Sequence, residues 1–125
     1  MMRFLLVCVL LMCAMPSTAS ITDYVVKQWN IKDGLPSQSL KSVVQDNQGY
    51  MWLGTQFGLS RFDGNTFTNY NTQNSLFLPS NGINKLLIDG EGLLWIGTKN
   101  GLVVIDPEKL TAQEFNIKGP VRDIL

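Results

Sequence analysis

The residue types that usually carry enzymatic chemistry are scarce in this chain. Its 125 residues include no histidine, and its two cysteines, Cys8 and Cys13, both lie in an apolar segment at the N-terminus. Ser60 lies in the stretch Gly-Leu-Ser-Arg-Phe, which is not a nucleophile elbow, and it has no imidazole to act as its base. We therefore predict that the chain contains no catalytic residue.

Two aspartates and a glycine pair remain as candidates for a metal or cofactor site. Asp46 and Asp89 carry oxygen ligands, but each is the first residue of a tight turn, and the spacing of a calcium loop is missing. Gly90 and Gly92 could begin a dinucleotide motif, but its third position is Trp95 and no helical pattern follows. We predict no metal site and no cofactor, and a metal ion at the aspartates is the alternative.

The same aspartates belong to an internal repeat with a spacing of 43 residues. The segment 45–59 returns as the segment 88–102 without a gap. The identical pairs to which we assign a structural role are Asp46 and Asp89, Gly49 and Gly92, Trp52 and Trp95, Gly54 and Gly97, Thr55 and Thr98, and Gly58 and Gly101. Because the tryptophans occupy the same place in each copy, we predict that they pack between the repeat units; stacking on a sugar is the alternative.

Each repeat unit predicts four short strands. In the first copy they span residues 40–45, 50–55, 59–62 and 66–70, with Asp, Asn and Gly in the intervening turns. Four-stranded units that recur every ~40–45 residues are typical of propeller blades. The predicted fold is all-β, a partial β-propeller of about two four-stranded antiparallel blades plus the start of a third, after an N-terminal signal peptide helix. A helical solenoid and an antiparallel meander or sandwich are the alternatives, but the segments are too short and glycine-rich for helices, and a meander needs no repeat.

The N-terminus has the pattern of an export signal. Arg3 precedes an apolar run, residues 4–15, that is too short to span a bilayer, and small residues allow cleavage after Ala19. An uncleaved anchoring helix is the alternative, and Met12 before Cys13 fits a lipoprotein signal poorly. We predict a periplasmic or secreted mature chain without membrane contact of its own.

The repeat resembles the two-component regulator propeller repeat. That family's blade runs as an apolar strand, an Asp-x-x-Gly turn, a Leu-Trp-x-Gly-Thr strand and a Gly-Leu-x-Arg-Phe strand. The matching segments of the first copy are residues 46–49, 51–55 and 58–62. The lead-in at residues 33–37 resembles the start of the first blade in such sensors, and the resemblance covers roughly residues 29–125. The second copy departs from the pattern at residues 103–105 and at Pro107.

This resemblance implies a receptor function. Proteins of this type place two propellers outside the membrane, followed by a small β-sandwich, one transmembrane helix and a cytoplasmic output domain. The output domain is a histidine kinase or a diguanylate cyclase, and for the parent of this chain we predict a kinase first and a cyclase second. The resemblance implies that their periplasmic part senses an external ligand, often a product of glycan breakdown. We therefore predict that the chain is the N-terminal ligand-sensing propeller fragment of a bacterial two-component-type receptor. A free-standing secreted scaffold that assembles by oligomerisation is the alternative. A propeller enzyme acting on polysaccharide ranks last, because the sequence lacks the pair of acidic residues that glycoside hydrolysis requires.

The chain divides into five predicted parts. Residues 1–19 are the signal peptide, 20–36 a lead-in strand, 37–79 the first blade, 80–118 the second blade, and 119–125 the start of a third. Two blades and one further strand would leave both lateral faces of the array uncovered. Further blades of a longer parent protein, or other copies of the chain, are therefore predicted partners.

Loops at one end of the predicted blades form the candidate ligand site. The link between the second and third strands and the link between blades emerge at this end, and the predicted ligand-binding residues are Gln56, Phe57, Asn81, Lys99 and Asn100. Their amide, aromatic and cationic groups suit an external carbohydrate or another small ligand, and ordinary solvated turns are the alternative. Ten Lys and Arg against ten Asp and Glu leave the chain neutral, so no nucleic-acid partner is predicted.

Overall fold

Eight β-strands form two consecutive sheets in the computed structural model, which describes residues 27–114 and 119–124. The strands are β1 (Ser42–Gln45), β2 (Met51–Thr55), β3 (Gly58–Phe62), β4 (Phe67–Tyr70), β5 (Ile83–Ile88), β6 (Leu94–Thr98), β7 (Gly101–Asp106) and β8 (Thr111–Glu114). Each sheet follows the chain order, and every neighbouring pair of strands is antiparallel. This four-stranded meander is the architecture of a propeller blade, so the predicted all-β fold with two blades is confirmed. The predicted signal peptide, residues 1–19, lies outside the described residues.

The turn between the first two strands of each blade is determined by local sequence. In the first blade, the N–H of Gly49 donates to the carbonyl of Asp46 at 3.1 Å, and the N–H of Asp46 donates to the carbonyl of Tyr50 at 2.9 Å. Gly49 has a φ of 93°, a backbone conformation that glycine adopts without strain. Gly92 closes the same turn in the second blade with a φ of 84°. The two blades therefore begin with equivalent hairpins.

The two blades pack face to face through residues of the repeat. Strand β5 lies against β1 and β2 of the preceding blade. Ile83 occupies the space over Gly54, where an added Cβ would lie 2.6 Å from Ile83 Cγ2. The buried core between the blades consists of Trp52, Leu59, Leu78, Ile83, Leu86, Leu94, Ile96, Val103 and Ile105. Each fully buried large apolar side chain in this core contributes about 1.5–3 kcal/mol to stability.

The lead-in is not a strand where the structure describes it. Ile31–Asp33 form a short 3-10 helix. The side chain of Asn30 caps this helix by accepting from the N–H of Lys32 at 2.8 Å, and the carboxylate of Asp33 accepts from the N–H of Asn30 at 2.8 Å. The predicted lead-in strand, residues 20–36, is therefore wrong over residues 27–36, because these local caps favour a helical turn. Residues 20–26 lie outside the described part of the chain.

The lead-in instead covers part of the outward face of the first blade. The ring of Trp29 packs edge-on against Phe62 and Phe67, with centroid separations of 4.7 and 5.7 Å. The side-chain amide of Asn69 donates to the carbonyl of Gly34 at 2.7 Å. Because these partners lie on β3 and β4, the lead-in covers the outward face of the first blade at these contacts but not across the whole face. The prediction that both lateral faces are uncovered is wrong in that part.

The segment after the second blade starts a second junction of the same kind. The N–H of Val121 donates to the carbonyl of Thr98 at 2.8 Å, and the side-chain amide of Asn84 donates to the carbonyl of Val121 at 3.0 Å. An added Cβ at Gly97 would lie 2.9 Å from Val121 Cγ1, so Val121 fills this position as Ile83 fills its equivalent in the first junction. Residues 119–124 form no strand, because no second strand lies beside them among the described residues.

The predicted blade limits are not fixed by these observations. The divisions at 37–79, 80–118 and 119–125 stay predictions.

Within residues 27–114 and 119–124, no helix has the length and apolar character needed to cross a membrane.

Candidate functional site

Both carboxylate oxygens of each repeated aspartate accept hydrogen bonds from N–H groups of their own blade. One oxygen of Asp46 accepts from the N–H groups of Gln48 and Tyr50 at 2.9 and 3.0 Å. Its other oxygen accepts from the indole N–H of Trp52 at 2.8 Å. Asp89 repeats the arrangement with the indole N–H of Trp95, also at 2.8 Å. Each carboxylate therefore joins a turn to the following strand, and in the described part of the chain no group of three or more acidic residues could hold a metal ion.

The hydrogen bonds of the second aspartate also stabilise its charged form. The indole of Trp95 is the largest influence and the N–H of Leu93 the next, and together they hold the pKa of the Asp89 carboxyl below its usual value. The pKa of Asp63 is lowered in the same way by the N–H groups of Thr66 and Asn65 in the turn after β3. Both carboxylates are therefore acceptors rather than proton donors at neutral pH.

The first tryptophan of the repeat is enclosed between the blades. Trp52 is completely buried, and its ring stacks on that of Tyr70 at a centroid distance of 5.8 Å. The guanidinium of Arg61 lies 4.8 Å from the ring centre of Tyr50 and 5.8 Å from that of Trp52. A completely buried indole offers no face to a sugar. Trp95, at the equivalent place in the second blade, is half-buried.

The link between the second and third strands is tight in both blades. The hydroxyl of Thr55 donates to the carbonyl of Gly58 at 3.0 Å and accepts from the N–H of Phe57 at 3.0 Å. Thr98 makes the same pair of bonds in the second blade. Gly58 has a φ of 134°, and an added Cβ there would lie 2.6 Å from the carbonyl oxygen of Tyr70. These bonds hold the two residues at the tip of each link in a fixed position.

The predicted ligand-binding residues lie at one end of the two sheets. Gln56 and Phe57 form the tip of the first link, and the ring of Phe57 is 66% exposed. Asn81 accepts from the N–H of Thr72 at 2.8 Å, so its side-chain oxygen holds the loop between the blades. Lys99 and Asn100 form the tip of the second link and are exposed. The assignment of these residues to ligand binding stays a prediction.

One predicted residue also borders a cavity at this end. The cavity has a volume of about 470 Å³ and is lined by Lys41, Asn84, Lys99, Pro120 and Arg122. Sequence reasoning identified Lys99 but missed the other four, because they meet only through the packing of one blade on the next. The one available signal was that Lys41 and Asn84 are separated by the repeat spacing of 43 residues.

A larger cavity lies between the outer strands of the two blades. It has a volume of about 830 Å³, and its lining includes Tyr70, Phe77 and Leu110. The amide groups on its wall are engaged within the protein: Asn69 accepts from the hydroxyl of Ser60, and the amide of Asn74 donates to the carbonyl of Asn69. This cavity is therefore a weaker candidate for polar ligand recognition than the one at the end of the sheets.

Comparison with protein families identifies the repeat. The family model described as the two-component regulator propeller matches residues 34–57 and 78–100. These two segments contain the turn of each blade and the strand that carries its tryptophan. The resemblance expected from the sequence is thereby confirmed.

Individual relatives agree with this family match. Histidine kinase P4 of Formosa agariphila is 40% identical over 52 residues, which make up 42% of this chain and 4% of the kinase. The extracellular domain of a B. thetaiotaomicron protein assigned as a hybrid two-component system aligns with a TM-score of 0.63 at 27% identity, over 72% of this chain and 13% of that one. A second extracellular domain from B. thetaiotaomicron, assigned to a one-component system, aligns with a TM-score of 0.59 at 23% identity, over 74% of this chain and 13% of that one, and it supports the fold alone. The chain thus spans a small part of each relative.

Proposed function

Because the chain carries two repeats of the two-component regulator propeller, we propose that it is the N-terminal ligand-sensing part of a bacterial two-component-type receptor. The observation that carries this proposal is the pair of equivalent blades, which aligns with the extracellular domain of a hybrid two-component system. The similarity to a histidine kinase favours a kinase as the output of the parent protein over a diguanylate cyclase. The chain itself acts by binding and has no catalytic role.

The proposed location is outside the cytoplasm. The N-terminal pattern ending at Ala19 supports export through a cleaved signal peptide, and the similar solved structures are extracellular domains. We place the mature chain in the periplasm, with secretion as the second possibility. Its proposed ligand is an external carbohydrate or another small molecule, bound at the end of the sheets that carries Phe57 and Lys99.

Further blades are the proposed protein partners of the chain. Leu40 and Val43 are 41% and 46% exposed, whereas their repeat equivalents, Ile83 and Leu86, are each 1% exposed because the first blade covers them. A preceding blade would cover Leu40 and Val43 in the same way. On the opposite side of the array, half-buried Trp95 and Leu102 correspond to Trp52 and Leu59, which are completely buried. The open part of each face therefore carries the same kinds of apolar residues as one side of the buried junction between the two blades.

Sequencing the DNA downstream of the region that encodes this chain tests the receptor proposal. We expect further propeller repeats, a transmembrane helix and a kinase or cyclase to be encoded downstream, either in frame or after one frameshift. A stop codon followed by unrelated genes would contradict the proposal.

The alternative is a free-standing scaffold in which several copies complete one ring, and the complementary open faces favour it. Size-exclusion chromatography of the chain without residues 1–19 separates the two functions. A discrete trimer or tetramer would support the scaffold, because closed propellers have ~4–8 blades. A monomer or heterogeneous aggregates would support a fragment of a receptor.

A further inference from the structure

The cavity at the end of the sheets is built from equivalent positions of successive blades. Lys41 immediately precedes β1, Asn84 is the second residue of β5, and Arg122 follows the residue that fills the second junction. Strands β1 and β5 are each the first strand of a blade, and first strands surround the central channel when blades are arranged radially. These three residues therefore lie where a ring of side chains would border one mouth of the channel.

Backbone contacts fix the position of each residue. The N–H of Lys41 donates to the carbonyl of Gly54 at 2.8 Å, and the amide of Asn84 donates to the carbonyl of Val121, directly before Arg122. The N–H of Lys99 donates to the carbonyl of Gly82 at 2.9 Å, and its aliphatic stem packs against that glycine. The cationic groups thus extend from anchored backbone. We call Lys41, Asn84, Lys99 and Arg122 the basic mouth.

Among the described residues, none that lines the cavity at the basic mouth is acidic. The residues of the basic mouth and Pro120 line this cavity, which gives it three cations, one amide and one proline. Asp123, which follows Arg122 in the sequence, forms an ion pair with Lys85: its carboxylate lies 3.8 Å from the Lys85 ammonium. Three positive charges around about 470 Å³ therefore face the cavity without a carboxylate among them.

The opposite end of the sheets has the opposite charge. The hairpin turns after β1, β3, β5 and β7 all lie there, because the strands alternate in direction. These turns, together with the last residue of β7, carry six carboxylates, those of Asp46, Asp63, Asp89, Glu91, Asp106 and Glu108, and one lysine, Lys109. Among the described residues, carboxylates are therefore concentrated at the end opposite the basic mouth, and a field of this direction draws anions toward the basic mouth.

We propose that the basic mouth binds a small ligand through an oxyanion, either a carboxylate or a sulfate ester. This inference rests on the proposed ligand-sensing function and specifies the chemistry of its ligand. Arg and Lys form their strongest hydrogen bonds with such groups, and a cavity of this size accommodates a mono- or disaccharide. Asn84 supplies a neutral polar group beside the charged ones.

Calorimetric titration of the chain with two acidic sugars tests the proposal. Digalacturonate supplies the carboxylate, galactose 6-sulfate supplies the sulfate ester, and digalactose and galactose are their neutral counterparts. We expect at least one acidic sugar to bind about tenfold more tightly than its neutral counterpart. We expect this preference to shrink as the salt concentration rises from about 50 to about 300 mM.

Substitutions at the two ends separate a specific site from general attraction. The double substitution Lys41→Gln and Lys99→Gln should weaken binding of the acidic sugar by about tenfold or more. Lys109→Gln removes one charge from the acidic end and should leave the affinity unchanged. Arg122→Lys keeps the charge but loses the bidentate geometry, so it should give an intermediate loss. Unchanged urea midpoints verify that the variants are folded.

The outcomes distinguish this inference from the function on which it rests. Preferential binding of one acidic sugar supports the inference and identifies the oxyanion. Equal binding of the acidic and neutral sugars, or an affinity that folded lysine variants leave unchanged, overturns the inference while ligand sensing stands. Absence of binding by all four sugars also overturns it, and the receptor proposal is then decided separately by the downstream gene.

Discussion

At the scale of single residues, the most consequential feature is the pairing of each repeat aspartate with an indole. Asp46 and Asp89 each accept two backbone N–H groups and one Trp N–H, so one carboxylate fixes a turn and orients the large ring that follows. The sequence predicts the turn, because Asp begins it and Gly ends it. It does not identify the indole as a partner, since a spacing of six residues across a hairpin becomes a contact only in the folded sheet.

The lowered pKa values of Asp89 and Asp63 predict a loss of stability in acid. Because hydrogen bonds hold the folded-state pKa values of both carboxyls below their ordinary value of 3.8, ionisation stabilises the fold fully above that pH, and this contribution is lost as the pH falls through the folded-state values. Urea unfolding from pH 6 to about pH 2.5 should therefore show a free energy of unfolding that decreases below about pH 4. Asp89→Asn should reduce this slope. A slope that persists unchanged in an Asp89→Asn, Asp63→Asn double variant would contradict the assignment.

At the scale of elements, the sequence is informative wherever the repeat recurs. The four strands predicted for the first copy lie within two residues of their observed ends, because Asp, Asn and Gly mark the turns between them, and the second copy forms the same four strands. The lead-in was predicted less well. Asn30, Asp33 and Gly34 are good capping residues for a helical turn, and this local pattern takes precedence over extended structure. The basic mouth could not be predicted, because Lys41, Lys99 and Arg122 converge only through the register of one blade on the next.

The contacts of the lead-in predict a local effect of removing its aromatic anchor. Trp29→Ala deletes the ring that packs on Phe62 and Phe67, so the segment around Gly34 should detach from the first blade. Hydrogen exchange should accelerate by about tenfold or more at residues 33–35 while protection in β2 and β6 is retained. Ile31→Ala is the matched control, because that side chain is 59% exposed. Equal acceleration in both variants would show that the aromatic contact does not anchor the lead-in.

At the scale of the whole molecule, two blades present two partly open faces, and the open parts match the two halves of a buried junction. Residues that are buried inside the array, such as Leu86, have exposed equivalents at its edge, such as Val43. Exposed apolar sheet faces promote association with a neighbouring sheet. We therefore expect the apolar residues of the two faces to be fully buried only when other blades pack against them, whether these blades belong to the parent protein or to further copies of the chain.

This incompleteness predicts self-association of the isolated chain. Val43→Glu places a charge on the open face of the first blade, so it should shift the chain from oligomers or aggregates toward monomer in size-exclusion chromatography coupled to light scattering. Leu76→Glu is the matched control, because Leu76 is fully exposed in the loop between the blades and lies away from the first-strand edge of that face. Equal effects of both substitutions would indicate that added charge alone, rather than the open face, controls association.

The contact between Gly54 and Ile83 tests the central claim, the packing of one repeat unit on the next, most directly. In a double-mutant cycle followed by urea unfolding, Gly54→Ala should cost about 1–3 kcal/mol because its Cβ meets Ile83, and Ile83→Ala should cost about 2–5 kcal/mol because it leaves a cavity. The double variant should be at least about 1 kcal/mol more stable than the sum of the single changes implies, because the smaller side chain at 83 makes room for the new methyl group. Strictly additive costs would contradict the face-to-face packing of the two blades.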